Sequence, residues 1–61
     1  MKYIEIYTFL NGKVEAEVIN TKSEALKSFK ETQSYPNFFK ESSLIELKAD
    51  GETRLLAHWE K

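Results

Sequence analysis

Two dipeptides, Asn11-Gly12 and Asp50-Gly51, constrain this chain more than any other feature of it. Each lies between two short runs of alternating, β-favouring residues. Asn-Gly or Asp-Gly in that setting is the strongest short-range hairpin signal a sequence carries. The first pair of runs is Tyr3 to Phe9 and Lys13 to Ile19; the second is Leu44 to Lys48 and Glu52 to Trp59.

Turn length then follows from side-chain segregation, because a slip of one residue turns a strand's faces over. With a two-residue loop at Asn11-Gly12, Ile4 and Ile6 fall beside Glu15 and Glu17. With a three-residue loop, Leu10-Asn11-Gly12, Gly12 takes the left-handed bulge position. Ile4, Ile6 and Thr8 then share one dry face with Val14, Ala16 and Val18. Tyr3, Glu5, Tyr7 and Phe9 share the other with Lys13, Glu15, Glu17 and Ile19. The second segregation is cleaner. The same choice at Ala49-Asp50-Gly51 groups Ile45 and Leu47 with Thr53, Leu55, Ala57 and Trp59. It also opposes Lys48 to Glu52, Glu46 to Arg54 and Leu44 to Leu56, and such pairs contribute roughly 0.2–1 kcal/mol each.

Between the hairpins, Thr21-Lys22-Ser23-Glu24 is a capping box with Thr21 as N-cap. It predicts a helix from about Lys22 to Gln33. Ala25, Leu26 and Phe29, with Thr32 or Gln33, form its buried stripe. Pro36 disfavours helical geometry at Tyr35 and ends the helix. The stretch from Asn37 to Ser42 reads as a loop or as one extra turn begun by Pro36. The expected architecture is ββαββ, an α+β single domain over residues 1–61. Two hairpins form one antiparallel sheet, with the helix on its drier face.

Size sharpens the question of what holds such a chain together. A 60-residue domain buries only about 60% of the surface its unfolded chain exposes. With no cysteine and one histidine, neither a disulfide nor a Cys/His zinc site can staple it. What remains is local encoding, or burial against a second chain. Glu5 interrupts what would be a leader's apolar stretch, and the uncharged run Ile6 to Gly12 is too short to span a bilayer. A cytoplasmic protein without membrane contact is expected.

Few residues suggest chemistry. His58 stands across the second hairpin from Ser42 or Ser43, but a triad also needs an orienting carboxylate and an oxyanion hole in a cleft. A solvated strand histidine beside Leu56 is the simpler expectation. Glu5 faces Glu17, with Glu15 nearby, which reads as a solvated acidic face or a place for a partner's basic group rather than a metal site. Both glycines are committed to turns, so no phosphate-cradling loop exists. Neither cofactor nor catalytic residue is expected.

The aromatic and aliphatic residues are more informative. Tyr3, Tyr7, Phe9, Ile19, Leu44 and Leu56 share the sheet face expected to lie away from the helix. Six on one face exceeds what a solvated sheet carries. Three covers suggest themselves: the 35–42 segment, a second copy packed face to face or edge to edge, or a different protein. Base stacking by Tyr3 and Tyr7 is disfavoured, because Glu5, Glu15 and Glu17 would repel a phosphate backbone. Tyr35, Phe38 and Phe39 form a second cluster that either plugs an open end of the core or serves as an interface hot spot.

In overall character the chain resembles the small proteins of bacteriophages and mobile elements, being short, cysteine-free, hairpin-rich and without catalytic groups. That resemblance implies a stoichiometric inhibitor, of the kind that blocks anti-phage defence proteins, working in the host cytoplasm. The leading expectation is a non-enzymatic protein-binding module, a homodimer acting on an unidentified host protein. The alternative is a nucleic-acid-binding regulator using Lys22, Lys27, Lys30 and Lys40. With Glu24 and Glu31 diluting those lysines, nucleic acid is the less expected partner.

Overall fold

The computed structural model describes residues 2–35 and 37–61. Its elements run β1 (Lys2–Phe9), β2 (Val14–Ile19), α1 (Lys22–Gln33), β3 (Phe39–Leu47) and β4 (Thr53–Glu60). All neighbouring strands are antiparallel, in the sheet order β2-β1-β3-β4. The fold is α+β, with one sheet and one helix.

Both turns are the three-residue bulged type. Phe9 N–H donates to the Lys13 carbonyl at 2.8 Å and Gly12 N–H to the Phe9 carbonyl at 2.9 Å; Lys48, Glu52 and Gly51 repeat the pattern at 2.8 and 3.0 Å. Gly12 and Gly51 have φ of 92° and 90°, in the left-handed region where a Cβ is disfavoured. The side chains of Asn11 and Asp50 each accept from the backbone N–H two residues on, both at 3.0 Å. The β1–β2 register follows, pairing Ile4 with Val18, Ile6 with Ala16 and Thr8 with Val14.

Thr21 caps the helix as expected, its hydroxyl accepting from Glu24 N–H at 3.3 Å. The expected position of the helix, however, is overturned. It lies on the face of Tyr3, Glu5, Tyr7 and Leu44, and the drier face is left uncovered. Tyr3, Ile19 and Leu44 are therefore buried with Ala25 and Phe29 in the core, rather than standing on a free surface. The reason is Glu5, whose side chain is 0% exposed. Its Oε1 accepts from Ser28 Oγ at 2.5 Å, and its Oε2 from Thr32 Oγ1 and Ser42 Oγ, both at 2.8 Å. Ser28 and Thr32 are one turn apart and share the inner stripe with Ala25 and Phe29, so the helix brings hydroxyls to an acid that needs them.

Other departures are local. β4 carries a bulge at Leu56, so Ala57 pairs with Leu44 but Leu55 with Ile45. Ala57 and Trp59 therefore join the helix side, packed with Leu56 against the core, instead of sharing a face with Leu55. Leu26 is exposed, because the buried stripe runs through Ala25, Phe29 and Thr32. Residues 39–42, expected as loop or helical turn, extend β3. Pro36, read as the helix stop, lies outside the described residues.

Glu5→Ala leaves three hydroxyls facing a hole and should cost about 2–4 kcal/mol by urea titration. In the same assay Gly51→Ala should cost about 1–2 kcal/mol from its left-handed backbone alone, since nothing lies within 4 Å of where its Cβ would stand.

Candidate functional site

Next to the Glu5 cradle, the helix and the β1–β2 hairpin border an open cup of about 210 Å³. Glu5 forms its floor, Glu17 and Glu31 its acidic walls, and Tyr7, Tyr35 and Phe39 its aromatic ones. Each comes from a different local rule. Strand alternation places Glu5 and Tyr7 on the helix side of β1, and the bulged turn places Glu15 and Glu17 opposite them. Helical periodicity brings Glu31 to the same opening, one turn from Ser28 and beside Thr32.

The cup is built on packed rings. Tyr7 meets Phe39 edge-on at 5.3 Å between centroids and Phe9 at 5.7 Å, while Phe9 and Phe39 lie 5.0 Å apart. Tyr35 and Phe38 pair at 6.3 Å and are both largely exposed. Burial, reinforced by the charges of Glu15, Glu17 and Glu5, holds the Tyr7 phenol above its ordinary pKa. Glu15 has Lys13 at 3.5 Å. No ion pair engages Glu17 or Glu31 among the described residues. Such a surface attracts cations, including basic side chains that can also lie against the rings.

The aromatic residues singled out from the sequence thus divide. Tyr3, Ile19 and Leu44 are core, Leu56 is half-buried against it, Tyr7 and Phe39 wall the cup, and Phe9 packs against both of those rings. Only Tyr35 and Phe38 stand well out in solvent. The helix lysines do not gather into one basic patch. Lys27 and Lys30 flank a shallow apolar groove of about 440 Å³ with Leu26, Phe29 and Ala57, while Lys40 borders a different hollow with Glu41 and Glu60.

His58 does meet a serine. Ser43 Oγ lies 2.8 Å from His58 Nδ1, and His58 Nε2 lies 3.6 Å from Glu60 Oε2. The resemblance to a triad ends there. Ser43 sits in an interior strand, paired with Ile6 on one side and His58 on the other, on the open sheet face rather than in a cleft where donors could converge on an oxyanion. Glu41, His58 and Glu60 offer ligand atoms within 4.8 Å of one another, a set able to hold a divalent cation at the solvent surface.

Sequence reasoning missed the hydroxyl cradle of Ser28, Thr32 and Ser42, although the Ser28–Thr32 spacing was a legible signal. It also missed Glu31, and the Glu41–Glu60 pairing that the β4 bulge creates. No known protein family matches the chain, and no curated protein sequence or solved structure is significantly similar to it.

The pKa of Tyr7 gives a pH test. An unfolded tyrosine loses its proton near pH 10, whereas folded Tyr7 holds it to higher pH. The native state therefore binds more protons in that window. Its contribution to stability is complete below about pH 10 and declines as pH rises through the folded value. Ultraviolet titration should show a late tyrosine step that is lost in Tyr7→Phe.

Proposed function

We propose that this chain is a non-enzymatic protein-binding module, working as a homodimer, that presents its acidic–aromatic cup to a basic surface on a partner. The observation that carries this is the cup itself: Glu17 and Glu31 without ion-pair partners among the described residues, around rings of Tyr7, Tyr35 and Phe39. An acidic surface steers encounter with a basic one and repels nucleic acid. Basic protein surfaces are often those that hold nucleic acid, so occupying one is a direct route to inhibition by a small protein. That mode of action is the one implied by the resemblance to phage and mobile-element inhibitors. Tyr35 and Phe38, exposed together at the rim, supply the apolar contact that charge alone lacks.

An oligolysine peptide is a suitable probe, with an oligoglutamate peptide and single-stranded DNA as controls. Oligolysine should bind, with affinity falling as salt rises and by at least about tenfold in the double variant Glu17→Lys, Glu31→Lys. Tight binding of DNA at low salt, with none of oligolysine, would overturn the reading in favour of a nucleic-acid regulator.

A further inference from the structure

The sheet face away from the helix is uncovered by any element of the described chain. Strand alternation and the observed registers arrange it in transverse rows. Val18, Ile4, Ile45 and Leu55 form one row; Ala16, Ile6, Ser43 and His58 the next; Val14, Thr8, Glu41 and Glu60 the last. Leu47 and Lys2 lie beyond the first row. Val14, Val18 and Leu55 are 60–61% exposed. One end of this face is therefore continuously apolar and the other polar. Exposed apolar patches of this kind mark interaction sites.

We infer that a second copy of this chain covers this face, about a two-fold axis parallel to the strands. The inference deepens the homodimer part of the proposal above and is independent of its acidic cup. Such an axis lays β1 over β3 of the other copy and β2 over its β4, at unchanged height. Val18 then stands over Leu55 of the second copy, and Ile4 over its Ile45, so the apolar row seals against itself. The charged residues of the face meet no like charge: Lys2 comes over Leu47, Glu41 over Thr8 and Glu60 over Val14. A two-fold axis perpendicular to the strands instead presses Glu41 onto Ile45 and Glu60 onto Leu55 and so breaks up the apolar row, whereas the parallel axis keeps that row intact and sets only Lys2 and Glu60, at its margins, against apolar side chains. Two aligned sheets stacked in this way are an ordinary sandwich packing.

The molecule as a whole extends 36 × 20 Å in its two longer directions, a bounding rectangle of about 700 Å², so an interface on this face lies toward the small end of the range, whose standard is roughly 800 Å² per partner. Edge-to-edge pairing, the other route to a dimer, is less favoured: the short edge strand β2 carries two acids, Glu15 and Glu17, and the Leu56 bulge breaks the regular ladder of β4.

Sedimentation equilibrium tests the dimer. The wild type should be dimeric at micromolar concentration, and Val18→Glu or Leu55→Glu should give a monomer with unchanged far-UV dichroism, since both side chains are exposed in one copy. With no native cysteine to interfere, a mixture of Val18→Cys and Leu55→Cys proteins should form disulfide heterodimers several-fold faster than either variant links to itself. A monomeric wild type at high micromolar concentration overturns the inference. So does a dimer that survives both glutamate substitutions, or cross-linking without preference for the mixed pair. Oligolysine binding by monomeric Leu55→Glu is read separately, so failure of the dimer leaves the acidic cup standing and failure of the cup leaves the dimer.

Discussion

The side chain of Glu5 decides which way up this protein is built. An acidic group wholly removed from water is costly unless hydrogen bonds replace its hydration. Three hydroxyls do so here, from the helix and from β3. Only one placement of the helix supplies Ser28 and Thr32, so the acid selects the covered face at the expense of the more apolar one. The hydrogen bonds therefore give orientation as much as stability, and the sheet face best suited to burial is left outside.

That choice explains where the sequence was legible and where it was not. Register is a local property, set by Gly12 and Gly51 in left-handed turns and by which side chains segregate cleanly. The β1–β2 pairing and the helix limits could be read for that reason. Which face the helix covers is a long-range decision between two surfaces that both carry apolar residues. Hydropathy favoured Ile4, Ile6 and Val18 over a face containing Glu5, Glu15 and Glu17. The countervailing signal was polar, Ser28 and Thr32 spaced i, i+4 within an otherwise apolar stripe. A stripe of that kind belongs on a sheet face with an acceptor at its centre.

The bulge at Leu56 escaped the sequence for a different reason. It offers no glycine and no turn signal; it arises because Leu44 and Ile45, adjacent on β3, pair with Ala57 and Leu55. One extra residue turns Ala57 and Trp59 toward the helix, moves His58 to the open face beside Ser43, and brings Glu60 opposite Glu41. A uniform ladder through β4 would have placed each on the other side. The candidate cup was legible only in part, since Glu5, Glu15, Glu17 and Tyr7 were grouped by register, whereas Glu31 and Tyr35 joined them only once the helix was in place.

The same orientation keeps the two proposed surfaces from competing. Glu15 and Glu17 lie on the helix side of β2, while Val14, Ala16 and Val18 lie on the other. A second copy packed on the open face therefore leaves the cup untouched and places a second cup on the opposite exterior of the pair. Two equal sites on one rigid body favour a partner that is itself repeated or symmetric, because the second contact forms at high effective concentration once the first is made. For so small a chain, self-association would supply burial that a single copy lacks and a valency that a single copy cannot have.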